Sequence, residues 1–108
     1  MEVIKRALVA GAVNPVGVMV RYLVDRESAS VVELLLVSGQ TVQKHVTPVD
    51  VLFYVSGGKG TISIGEESAV VESGDIVVSP ANIPHGLEAS QGSDFNVLVI
   101  KTPNPTRK

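Results

Sequence analysis

The sequence contains no cysteine and no tryptophan. Without thiols there is no disulfide staple, no thiolate metal ligand and no cysteine nucleophile. A cysteine-free chain suits a reducing compartment, and the expected location is the cytoplasm. Aromatic residues make up only 4 % of the chain, too few for a base-stacking platform. The nine basic and eleven acidic residues are scattered and leave a net charge of −2. No basic stripe exists to track a nucleic acid or an anionic membrane. No apolar run approaches the roughly 20 residues that span a bilayer. The expected partners therefore include neither nucleic acid nor membrane. A sustained helical stripe is missing as well. The opening segment "MEVIKRALVAGAVNPVG" is broken by Gly11, Asn14 and Pro15. It reads as a first strand and loop, not as a signal peptide.

What the chain does have is a succession of short β-branched runs. "VGVMVRYLV" (16–24), "VVELLLV" (31–37), "TVQKHV" (41–46) and "VLFYV" (51–55) are followed by "TISI" (61–64), "AVVE" (69–72), "IVVS" (76–79), "HGLEA" (85–89) and "FNVLVI" (95–100). Turn residues separate them, so a strand recurs about every ten positions, as in an all-β sandwich or small barrel. Phe53 shares its parity with Val51 and Val55, which points all three into a barrel and turns Tyr54 outward. "SGGKG" (56–60) reads as a hairpin with Lys59 at its tip, because it lacks the spacing of a phosphate loop. "SGD" (73–75) reads as a turn, with Asp75 as a turn former. The proline-broken tail "TPNPTRK" (102–108) is expected to fray or to lie along the surface.

The chemistry-bearing residues are few. His45 and His85 are the two histidines, each at the end of a strand beside a proline-containing turn. A lone histidine is most often a packing residue. A pair gains meaning if the fold brings the rings together, as inward residues of a small barrel can be brought. No serine stands near a histidine and an acid in a way that marks a nucleophilic triad.

Two longer stretches carry a resemblance. "SGQTVQKHVTPVDVLFYVSGGKG" and "ESGDIVVSPANIPHGLEA" resemble the two motifs of the cupin superfamily. In the second stretch Gly74 is followed by five residues, then Pro80, then Asn82, then His85. Asn82 stands where the family has glycine, and asparagine tolerates the left-handed turn that glycine serves there. Ala89 stands where the family has asparagine. In the first stretch Gly39 and five residues lead to His45, which matches the first family histidine. Thr47 occupies the position of the second. The acid position is ambiguous. Counting forward reaches Val51 or Leu52, whereas counting back from Gly57 reaches Asp50. Asp50 would need a one-residue bulge after Pro48 to aim inward.

The resemblance implies an antiparallel double-stranded β-helix, or jelly-roll, barrel. Residues 1–108 form one domain in this reading, with a barrel core over about 17–101. It also implies a homodimer, which would cover the apolar outer faces of the early strands. Three functional readings stay open. In the first, His45, His85 and possibly Asp50 hold a divalent metal ion. Two imidazoles and a carboxylate with open positions suit Fe, Mn or Ni as well as Zn. The resemblance then allows a metal-dependent oxygenase or isomerase acting on a small polar organic molecule. In the second, the metal site is degenerate and Thr47, Val51, Phe53 and Leu87 line a small-molecule pocket. In the third, the chain is a structural or regulatory dimer without a small ligand.

Overall fold

A computed structural model describes residues 1–107. The β-branched runs become nine strands: β1 (Ala12–Val13), β2 (Met19–Asp25), β3 (Ser30–Leu36), β4 (Thr41–His45), β5 (Asp50–Ile64), β6 (Glu67–Glu72), β7 (Ile76–Ser79), β8 (His85–Ala89) and β9 (Phe95–Thr102). All ladders are antiparallel. One layer runs β1-β2-β3-β9-β5, with β7 on the far side of β5; the other joins β4, β8, β5 and β6. The two curl over each other as a double-stranded β-helix, the expected architecture. Among the described residues, no helix is long and apolar enough to cross a membrane.

The hinge between the layers is β5, and here the structure departs from the sequence reading. "SGGKG" is not a hairpin. β5 passes through it without a turn, and Lys59 lies in register with Glu72 of β6. The ladder to β9 shifts register between Val55 and Gly57, which marks the bend from one layer into the other. The glycines are required by close approach. Gly58 has φ +74°, and a Cβ there would overlap the Asp94 carbonyl oxygen. A Cβ on Gly60 would run into the Phe95 ring. A glycine cluster inside a long bent strand and one in a hairpin look alike in sequence.

Inward residues of both layers meet in a single apolar cluster. Val51, Phe53 and Val55 of β5, Phe95 and Val97 of β9, and Leu36 of β3 are at most 1 % exposed. The period-2 parity predicted for Phe53 thus holds, and Tyr54 turns outward. Truncating a buried phenylalanine such as Phe53 to alanine typically costs about 3–5 kcal/mol.

The N-terminal end departs from expectation, whereas the C-terminal end takes one of the two courses expected of it. The N-terminal segment forms a 3-10 turn at Arg6–Leu8 and only a two-residue β1. The Arg6 guanidinium reaches the carboxylate of Glu33 on β3. As far as Arg107 the C-terminal tail lies along the surface and is pinned there. The Asn104 backbone N–H donates to the Glu27 carbonyl at 3.1 Å, and the Arg107 guanidinium grips Asp25 through two bonds of 2.8 and 2.9 Å.

Candidate functional site

The two histidines come together, through strand pairing instead of across the lumen. β4 and β8 are neighbours, and His45 stands directly opposite His85 in their ladder. A register shift between Val42 and His45 sets that alignment. The ring centroids are 4.6 Å apart and the planes meet at 88°, an edge-to-face contact. Phe53 approaches His85 from the other side, at 5.2 Å and 83°. The rest of the second motif behaves as its spacing implies. Asn82 takes a left-handed conformation, φ 67°, and turns the chain into β8.

The two imidazoles have different surroundings. His85 is buried, at 2 % exposure. Its Nδ1 lies 3.0 Å from the Ser79 hydroxyl and its Nε2 lies 3.2 Å from the Thr47 hydroxyl. In a neutral ring one nitrogen donates to one hydroxyl and the other accepts from the second, so both are satisfied. Burial, then the nearby His45, then Lys101, pull the His85 pKa down to about 4. His85 is therefore neutral near pH 7. His45 is exposed, and its Nδ1 lies 3.2 Å from the Gln43 carbonyl oxygen. A carbonyl only accepts, so Nδ1 carries the proton and Nε2 of the neutral ring keeps a lone pair. That atom is the one basic nitrogen the pair can offer to a ligand.

Both rings line a cavity of about 860 Å³ at the open end of the barrel. Its walls are Val20 and Tyr22 of β2, Val32 and Leu34 of β3, and Phe53, Leu87 and Val99. Of the expected pocket residues, Phe53 and Leu87 line it. Val51 is fully buried in the core. Thr47 reaches the site only by way of its hydroxyl on His85. Lys101 also lines the cavity, a residue the motifs do not single out.

Asp50 does not join the histidines. It shares the outward parity of Leu52 and Tyr54, opposite to Val51 and Phe53, and no bulge after Pro48 reverses it. Its carboxylate accepts the Ala81 amide N–H at 2.8 Å and ties the loop after β7. Among the described residues, no group of three His, Cys, Asp or Glu side chains could hold a metal ion. Three protein ligands are the usual minimum for a catalytic divalent site. Here there are two imidazoles, one with both nitrogens engaged by hydroxyls, so the donor set does not fit a resident cation.

The comparisons with known proteins agree on the architecture. The family model described as "Cupin domain" matches residues 32–101. The TT1209 protein of Thermus thermophilus superposes with a TM-score of 0.85 at 27 % identity, covering 97 % of this chain and 100 % of that one. The conserved SPY1581 protein of Streptococcus pyogenes does so at 0.74 and 26 %, covering 96 % of each chain. The polyketide cyclase RemF of Streptomyces resistomycificus shares the fold at 0.84 with 18 % identity, over 96 % of this chain and 80 % of that one. Among curated proteins, none matches this chain. With the family model covering well over half of its length, from β3 to β9, the chain belongs to the cupin family.

Proposed function

We propose that this protein binds a small organic molecule in the open end of its barrel, without a resident metal. One observation carries the reading: a cavity of about 860 Å³, whose apolar side chains are joined by Asn14, Thr41, Gln43, Lys44 and Lys101, contains two imidazoles in edge-to-face contact. Ligand sites have this make-up, mostly apolar with a few placed polar groups. His45 Nε2 supplies an acceptor, and neutral His85 with its two hydroxyls stiffens the floor beneath it. The state of His85 favours the metal-free form, because metal ligation at Nε2 would displace the Thr47 contact.

The working unit in this proposal is a homodimer. The outer face of the larger layer carries an apolar grid in register: Val31, Ile100, Leu52 and Val78 in one row, and Leu98, Tyr54 and Ile76 in the next. Ile76 and Val78 are 64 % and 62 % exposed. A contiguous patch of this kind on a sheet is a contact surface, and a second copy of the chain is its natural cover.

One preparation, purified without chelator, tests both statements. Elemental analysis should find far less than one equivalent of metal, unchanged by His45→Ala and His85→Ala. Near-stoichiometric metal that both variants lose would overturn the metal-free reading. Sedimentation should give twice the chain mass, and a monomer at micromolar concentration would overturn the dimer.

A further inference from the structure

The β9 strand reads Phe95, Val97, Val99 and Lys101 on its inward face. The first two are fully buried and Val99 is 8 % exposed. The fourth inward position is a cation. Lys101 is paired with Val51 of β5 and Ser30 of β3, and its side chain lines the cavity. It is half-buried, and among the described residues no carboxylate pairs with it. No aspartate or glutamate lines the cavity. The other lysine on its wall, Lys44, gives its ammonium to the Gly65 carbonyl at 2.7 Å. Both imidazoles lie on the same wall, and the charge of Lys101 is felt at His85.

Half-buried on this wall, with Val51 as its ladder partner, the Lys101 side chain has lost part of its hydration and gained no carboxylate. A protein with a net charge of −2 has acids available, and none is placed here. The missing partner is then brought by the ligand. We propose that the occupant of the barrel is an organic monocarboxylate with an apolar body, and that Lys101 is its anion-binding group. The carboxylate takes the Lys101 ammonium, while the body packs on Phe53, Leu87 and Val99. This rests on the lumen-binding reading above and names the ligand class for the same cavity.

The test pairs each acid with its uncharged isostere. Butanoate, hexanoate and octanoate, each with its primary amide, are titrated into the intact protein by calorimetry at pH 7.5. The acids should bind about tenfold tighter than the amides, the effect of one charge-assisted hydrogen bond. Lys101→Met should remove that advantage and leave amide binding unchanged. Lys101→Gln provides the same reading if the methionine variant fails to fold. Lys44→Met should keep the advantage. Acids and amides that bind equally well would overturn the role of Lys101 and leave the cavity as a ligand site. No binding of either series would overturn both. A tenfold preference that survives in both Lys101 variants would also overturn the assignment.

Discussion

Glu33 and Lys101 make an instructive pair. Both are charged residues on strands of the same layer, taken at least partly out of water. Glu33 has the outward parity of β3 and is fully buried. It is held by the guanidinium groups of Arg6 and Arg21 and by the Ser56 hydroxyl, at 3.1 Å from Arg21 and 2.8 Å from Ser56. Lys101 has the inward parity of β9 and no carboxylate partner among the described residues. The outer charge is neutralised by the fold itself. The inner one is left for something that enters. A buried charge with its partners built in is architecture; the half-buried ammonium without them is, in our proposal, the seat for a ligand of opposite sign.

The strongest way to break this comparison is Glu33→Leu. It leaves two arginines facing each other without their carboxylate and frees the N-terminal segment. The expected loss is about 4 kcal/mol, read from urea denaturation. A loss below about 1 kcal/mol would make the outer cluster decorative, and the contrast with Lys101 would vanish.

The lumen can be charged by acid instead. The folded-state pKa of His85 is about 4, below the 6.5 of an unperturbed histidine. The unfolded chain therefore binds the extra proton first, and stability must fall as pH drops from about 6.5 to about 4. The His85 contribution levels off below that range, where both states of this histidine are protonated. At about 1.4 kcal/mol per pH unit the loss is on the order of 3 kcal/mol. The cause is burial first, then the proximity of His45 and of Lys101, in a cavity wall that holds no acid to compensate. Urea midpoints that are flat across this window would show that the lumen tolerates a second cation.

The smallest effect sharpens the contrast by its sign. Lys101→Met removes a cation without a carboxylate partner from the cavity wall. Stability should stay constant or rise by up to about 1 kcal/mol, where Glu33→Leu falls steeply. A clear loss, seen as a lower thermal midpoint, would mean that Lys101 has a structural partner after all.

Much of the fold was legible in the residues. The β-branched runs and their turn signals correspond to strands, and the parity of "VLFYV" names the buried side of β5. The second motif, Gly74 to His85, is read correctly down to the left-handed Asn82. The N-terminal pattern was too short to separate a strand from a single helical turn. "SGGKG" misled because glycine licenses a bend and a turn equally. At Asp50 the spacing of the motif and the parity of the strand disagreed, and parity decided, because no bulge intervened. The signal for Lys101 was present in "FNVLVIK", where every second residue faces in. A lysine next to a proline-rich tail looks, in sequence, like the end of a strand.

Composition and periodicity alone determined an all-β sandwich or small barrel, an apolar inner face and two histidines close to loops; the motif resemblance narrowed this to the barrel. These are local properties, set by side-chain alternation and by turn chemistry within a few residues. Three features were decided only in three dimensions. Those are the pairing of β4 with β8 that sets His45 against His85, the burial that keeps His85 neutral, and the acid-free wall around Lys101. Each depends on which distant strands become neighbours, and long-range pairing is chosen by the packing of the whole core.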